Sequence, residues 1–129
     1  MKTLATSLFL YAAAIKLAPV TGLLFPLQIP SAYGVSFDDP NLMILLRHRA
    51  ALFGVVGVLL ATAALRPRLR PLATAAGLFS MLSFIAIVWL DGPANEELTR
   101  VAAIDATAAI ALVAAYALDR RQKTTATDA

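Results

Sequence analysis

Four long apolar stretches, separated by short polar connections, dominate the chain. They cover about residues 3–25, 41–65, 71–90 and 98–118. Each is close to the ~20 residues that a helix needs to cross ~30 Å of hydrocarbon. The second stretch contains three potentially charged residues and the first contains Lys16 and Pro19, so these two assignments depend on length rather than on an unbroken apolar run. The pattern predicts an all-α integral membrane protein built as a four-helix antiparallel bundle.

Turn-forming residues mark the connections between these stretches. The first connection, over residues 26–40, is predicted to be a loop with a short interfacial element that carries Tyr33 and Phe37. Pro93 makes the connection before the fourth stretch a firm helix stop. The polar residues 119–129 are expected to form a fraying tail. The apolar run of the first stretch continues past Lys16, so we expect residues 1–129 to form a single transmembrane domain rather than a cleaved signal peptide and a remainder.

The composition excludes several classes of protein. Of the 129 residues, 60% are hydrophobic and 15% are charged, against roughly 45–50% and about 25% in an ordinary soluble domain. So few polar residues could not cover a globule of this size, and the apolar excess is expected to face lipid. The absence of Cys excludes disulfide scaffolds and zinc modules based on thiolates. The net charge of +3 does not indicate a nucleic-acid partner, because the basic residues lie at the ends of the apolar stretches.

The distribution of basic residues predicts an orientation. Every basic cluster outside the stretches falls on one side of a four-span topology: Lys2, then Arg66, Arg68 and Arg70, then Arg120, Arg121 and Lys123. The first and third connections contain no Lys or Arg and carry five acidic residues. Because cytoplasmic loops carry the excess of Lys and Arg, both termini are expected to be cytoplasmic.

Ionisable residues within the stretches are the candidates for a site. At ~1.5 Å per residue, they are expected to lie in the outer half of the bundle. Asp105 is the only acid deep in a stretch, and its expected partner is Arg47 or Arg49, with His48 as a possible third member. The candidate ligand-binding residues are Lys16, Arg47, His48, Arg49, Trp89, Arg100 and Asp105.

Structural explanations compete with a site for each of these residues. Arg47 shares a helix face with small residues at positions 50, 54, 57 and 61, so we expect that face to look into the bundle and its ion pair with Asp105 to lock two helices together. His48 and Arg49 lie ~100° and ~200° further round, so the three cannot point the same way. Lys16 and Arg49 could instead extend toward headgroups. Trp89 is typical of an interfacial aromatic belt.

The candidate residues carry more positive than negative charge, since Lys16, Arg47, Arg49 and Arg100 are opposed by Asp105 alone. This excess favours binding of an amphipathic, lipid-like ligand with an anionic or electron-rich head. The chain could bind it alone or within a homo-oligomer or larger membrane complex. The first alternative is a membrane enzyme in which His48 is the general acid or base, Asp105 sets its tautomer and Arg47 stabilises negative charge. The second is a small proton-coupled transporter that uses Asp105. No phosphate-binding, zinc or haem motif is present, so neither a metal nor a cofactor is expected.

Short motifs add a resemblance. Lys16-Leu17 and the Gly-containing second stretch are similar to the DoxX-like group of small bacterial membrane proteins. More closely, Asp39-Pro-Asn-Leu, Arg47-His-Arg-Ala-x-Leu-Phe-Gly54 and Arg66-Pro-x-Leu-x-Pro71 resemble small bacterial four-helix proteins. Some of those carry the label phosphopantetheine adenylyltransferase, a soluble α/β enzyme whose HxGH-type motif is absent here. The resemblance implies a multi-pass protein of the bacterial inner membrane and implies no activity.

Overall fold

The computed structural model describes residues 2–34 and 39–127, with side chains for residues 3–34 and 39–122, and within them all regular structure is helical. The predicted positions of Phe37 and Asp38 fall outside the described residues. The helices are α1 (Lys2–Leu17), α2 (Thr21–Leu24), α3 (Ile29–Tyr33), α4 (Pro40–Leu65), α5 (Arg70–Leu90) and α6 (Glu96–Thr127). The prediction of an all-α bundle is confirmed.

Four segments are long and apolar enough to cross a membrane. They are Thr3–Leu24, Pro40–Leu65, Pro67–Leu90 and Glu96–Gln122, which agree with the four apolar stretches of the sequence. Large apolar side chains cover the outside of these helices, as a lipid-facing surface requires; Phe79 and Ile110, for example, are 77% and 71% exposed. Length, composition and surface therefore all indicate a multi-pass membrane protein.

The first span is not one continuous α-helix. Proline lacks a backbone N–H, so Pro19 cannot make the helical hydrogen bond, and the chain tightens into a 3-10 turn over Ala18–Val20 before α2. A second 3-10 turn at Pro26–Gln28 leads into α3, which ends at Gly34 with φ +61°. The predicted loop is thus a set of short helical turns beside the ends of the long helices.

The four long helices pack as a square. Each of α1 and α5 packs against both α4 and α6, so α4 and α6 lie across a diagonal. The core consists mainly of alanines, with a few larger side chains such as Phe9, Leu60 and Leu112. Glycines allow the closest approaches: a Cβ at Gly57 would lie 2.7 Å from Leu17 Cγ. The predicted small-residue face of the second stretch therefore does receive another helix, α1.

The two ends of the bundle differ in charge. The end that holds the α4–α5 connection and the C-terminal part of α6 carries Arg66, Arg68, Arg70, Arg120 and Arg121 and is called the basic end. The opposite end carries Asp39, Asp91, Glu96 and Glu97 and is called the acidic end.

A buried arginine at the basic end was not anticipated. Arg70 Nη1 donates to Asp119 Oδ1, Nε donates to the carbonyl of Ala63 at 3.2 Å, and Nη2 donates to the carbonyl of Ala64 at 3.2 Å and to Thr6 Oγ1 at 3.1 Å. Carbonyls in the last turn of a helix lack helical partners, so Arg70 closes the end of α4.

The same contact corrects the predicted boundary of the tail. Asp119 is 6% exposed, and α6 continues through it to Thr127 instead of ending near residue 118. A carboxylate that pairs with a buried arginine anchors the chain where the polar sequence alone predicted fraying.

Candidate ligand-binding site near the acidic end

Lys16 and Asp105 form a buried ion pair between α1 and α6. Lys16 Nζ donates to both carboxylate oxygens of Asp105, at 3.0 Å and 2.9 Å, and the two residues are 2% and 4% exposed. Lys16 lies in the last turn of α1, where a cation also opposes the helix dipole. The predicted pairing of Asp105 with Arg47 or Arg49 is wrong. The geometric reason is that α6 packs against α1, while α4 lies across the diagonal.

Arg49 reaches the same region and has no anionic partner among residues 3–34 and 39–122. Its guanidinium carbon lies over three aromatic rings, at 5.4 Å from the centroid of Tyr33, 4.9 Å from that of Phe53 and 4.7 Å from that of Phe84. Such contacts stabilise a cation but neutralise no charge. Arg49 Nη2 is buried and has no hydrogen-bond partner among the described residues.

Phe53 joins the two charged groups into one cluster. Lys16 Nζ lies 4.6 Å from the centroid of the same Phe53 ring that Arg49 contacts. The cluster of Lys16, Arg49 and Asp105 contains two cations and one carboxylate, which gives a net charge of +1. Charges in a low-dielectric interior interact strongly, so this excess is a strong attraction for an anion.

The position of Tyr33 is fixed by the start of α6. Asn95 Oδ1 accepts from the backbone N–H of Leu98 and caps α6, while Asn95 Nδ2 donates to the carbonyl of Tyr33 at 2.8 Å. Gly34 follows with positive φ, and a Cβ there would collide with the carboxylate of Glu97. The end of α3 therefore lies tightly against α6 and holds the Tyr33 ring beside Arg49.

Two adjoining cavities lie beside the charged cluster. The first, of about 190 Å³, is called the inner cavity, and its wall includes Lys16, Asp105, Tyr33 and Phe53. The second, of about 260 Å³, is called the lateral cavity, and it is bounded by α2, α3 and the adjoining turns, with Gln28 among its lining residues. Four residues line both cavities: Ala18, Pro19, Tyr33 and Val101. An ion pair thus forms one wall of a mostly apolar space.

Arg47 and His48 lie outside this cluster. Arg47 is exposed, and its Nη2 donates to the carbonyl of Leu23 at 3.2 Å. The face of α4 that Arg47 shares with Gly57 does point at the first span. At the level of Arg47, however, the first span ends in α2, whose carbonyl at Leu23 lacks a helical partner and accepts the hydrogen bond from Arg47. The side chain of His48 is exposed, and both oxygens of Asp105 accept from Lys16. The predicted contacts of Asp105 with Arg47 and His48 are therefore absent from the described structure.

Arg100 and Trp89 are also separate from the cluster. Arg100 pairs with Glu96 one turn earlier on α6, and both side chains are largely exposed. Trp89 is 83% exposed and lines a different space, an open apolar groove between α5 and α6. The part of this groove nearer the acidic end has a volume of about 540 Å³. Of the seven predicted ligand-binding residues, the structure brings together Lys16, Arg49 and Asp105.

The aromatic part of the site was missed by sequence reasoning. Phe53 follows Arg49 by four residues, so the two share a helix face, and this spacing could have indicated the contact. Tyr33 and Phe84 come from other elements and gave no such signal. Among residues 2–34 and 39–127, no group of three or more metal-ligating side chains occurs.

Fold and site together define a four-helix bundle with membrane-length apolar helices and a positively charged cluster beside a cavity. No family model, curated protein or solved structure matches this chain.

Proposed function

We propose that this protein binds an amphipathic, lipid-like ligand whose anionic head occupies the inner cavity. The observation that carries the proposal is the uncompensated charge of Arg49, which lies over the rings of Tyr33 and Phe53. These two rings line the inner cavity together with the Lys16–Asp105 pair. A cation without a counter-ion is costly in a membrane, and an anionic head would lower this cost for the half-buried Arg49. The apolar walls of both cavities would contact the rest of the ligand.

The proposed setting is the bacterial inner membrane, with both termini in the cytoplasm. The basic end carries five described arginines, and the acidic end carries the acidic connections, as the positive-inside rule requires of a cytoplasmic and an outer side. In this orientation, the inner cavity lies in the outer half of the membrane, where a ligand could arrive sideways from the outer leaflet. The bacterial origin rests on the resemblance to small bacterial four-helix membrane proteins.

The binding proposal is preferred over an enzyme or a transporter because of specific contacts. Acid–base catalysis by His48 would require a contact between that side chain and Asp105 or the cavity, and His48 lines neither cavity. A coupling role for Asp105 would require its carboxylate to reach water, whereas both oxygens are bound by Lys16 inside the bundle.

Native mass spectrometry of protein extracted in a neutral detergent tests the proposal. We expect the wild-type protein to retain an anionic amphiphile and Arg49→Gln to retain at least tenfold less, since a hydrogen bond to a charged group contributes about 1.5–3 kcal/mol. Arg68→Gln removes the same charge from an exposed position at the basic end and serves as the matched control. Stability should hardly change in Arg49→Gln, because the lost ring contacts are offset by removal of an unpaired buried donor.

Two results would contradict the proposal. One is a wild-type protein that carries no amphiphile under conditions in which the bundle stays folded. The other is equal retention by Arg49→Gln and the control, which would show that the charge of Arg49 does not hold the ligand.

A further inference from the structure

The two adjoining cavities restrict the ligand further. We propose, as a deepening of the binding function above, that the ligand is a single-chain monoanion such as a fatty-acid carboxylate. Its head would lie in the inner cavity, and its chain would lie in the lateral cavity rather than in the groove between α5 and α6.

The charge of the cluster sets the charge of the head. Lys16 and Asp105 neutralise each other through two hydrogen bonds, so only the charge of Arg49 remains uncompensated. One negative charge on the head would balance it. A head with a higher charge would leave an excess of negative charge beside Asp105 in a low-dielectric space.

The volumes set the number of chains. Ligand pockets of drug-sized molecules occupy ~300–1,000 Å³, and neither cavity alone reaches that range. Because the two share four lining residues, one ligand can occupy both. At roughly 30 Å³ per methylene group, close to the share of a water molecule in the liquid, the lateral cavity holds roughly eight or nine methylene groups. The lateral cavity therefore holds one chain, and the second chain of a diacyl lipid would have to lie outside it.

The larger apolar groove between α5 and α6 is the competing place for a chain. The part nearer the acidic end, of about 540 Å³, is lined by residues such as Trp89 and Ala103. The part nearer the basic end, of about 450 Å³, is lined by residues such as Leu82 and Ile110. Neither part is lined by a charged side chain, so the groove offers nothing to fix an anionic head. Acyl chains of the bilayer would fill it without specificity.

Tyr33 is the aromatic residue among the four that line both parts of the proposed site. Its ring lies against Arg49, and its backbone carbonyl is held by Asn95. A ligand that joins the two spaces would contact this ring. Tyr33 is therefore expected to limit the width of the chain next to the head.

Photo-crosslinking with decanoic acid that carries a terminal diazirine tests the inference. The protein is used in neutral detergent, and the labelled positions are mapped by peptide mass spectrometry. We expect labels on the segment from Gln28 to Tyr33 or at Val101, at least tenfold more than with the same chain on a trimethylammonium head. Arg49→Gln should lower this labelling at least tenfold, and Arg68→Gln should leave it within about twofold.

Each alternative outcome has a defined meaning. Labelling confined to the α5–α6 groove, or equal labelling by the cationic probe, overturns the inference. If a diacyl phosphatidylglycerol probe labels the lateral cavity and depends on Arg49 while decanoate does not, the single-chain inference fails and the binding function stands. If no anionic probe labels the site, both proposals fail.

Discussion

Two buried ion pairs among the described residues differ in how completely their polar atoms are satisfied. At the basic end, Arg70 bonds Asp119, two backbone carbonyls of α4 and Thr6 Oγ1, and its guanidinium also lies 5.3 Å from the centroid of the Phe9 ring. None of the cavities described above is lined by Arg70 or Asp119. Near the acidic end, Lys16 and Asp105 bond each other at a cavity wall, and the guanidinium of Arg49 lies over the same Phe53 ring that Lys16 contacts.

This difference separates a structural contact from a candidate site. A buried pair is costly to form and is tolerated when further hydrogen bonds satisfy the remaining polar atoms. Arg70 meets that condition with groups of the protein itself, because each of its three guanidinium nitrogens donates a hydrogen bond. The cluster around Arg49 does not meet it, because Arg49 Nη2 has no hydrogen-bond partner among the described residues, and the neighbouring Lys16–Asp105 pair lines a cavity. The same class of interaction therefore locks the fold at one end and leaves it open to binding at the other.

The largest expected effect is on Arg70. Arg70→Met should lower the free energy of unfolding by about 3–5 kcal/mol, because Asp119 and the last carbonyls of α4 lose their partner inside the bundle. The double variant with Asp119→Leu should recover only part of this loss, since the carbonyls of Ala63 and Ala64 remain without a donor.

Thermal unfolding in a neutral detergent measures both variants. Arg68→Met is the matched control, because it removes an exposed arginine from the same connection. Full recovery of stability in the double variant would mean that the pairing with Asp119 alone explains the role of Arg70.

The second largest effect on stability is expected for the Lys16–Asp105 pair, where the double variant should recover more stability than it does at the basic end. Lys16→Met and Asp105→Leu should each cost about 3–5 kcal/mol, because each leaves a charge buried without its partner. The double variant should come within about 1–2 kcal/mol of the wild type, since no backbone group depends on Lys16 or Asp105.

A double-mutant cycle by thermal unfolding gives the coupling energy of this pair. Ligand retention provides an independent readout, and it should change little in the double variant, because the charge of Arg49 is still present. A double variant as unstable as the single variants would contradict the comparison and would assign Lys16 and Asp105 further structural contacts.

The sequence predicted the fold more completely than the site. Helix length and apolar composition depend on local pattern, and the four spans appeared where the pattern placed them. Counting residues along the helices also predicted that Lys16, Arg49 and Asp105 lie at a similar depth in the bundle. Which of them touch depends on which helices are neighbours. The sequence does not encode this square arrangement in any local signal, and the predicted partner of Asp105 therefore lies on the wrong helix, α4 instead of α1.

The basic end shows a second limit of pattern reasoning. Arg70 lies among basic residues that an orientation rule explains on its own, so nothing in the local sequence distinguishes it from Arg66 and Arg68. A signal did exist: Asp119 is the only acid between Asp105 and Thr127, and an antiparallel topology places it at the same end as Arg70. A search for oppositely charged residues at the same end of the bundle, in addition to those within the apolar stretches, would have found the contact between Arg70 and Asp119.

The smallest expected effect is on His48, which lies on the exposed side of α4 and takes part in neither pair. His48→Ala should change the free energy of unfolding by no more than about 0.5 kcal/mol, the usual range for an exposed position. It should leave retention of the co-purifying amphiphile within about twofold of the wild type. Thermal unfolding and native mass spectrometry on the same preparation measure both quantities, with Arg49→Gln as the variant that must lose the ligand. If His48→Ala also loses the ligand while the bundle stays folded, the exposed face of α4 takes part in binding and the enzyme hypothesis regains its acid–base residue.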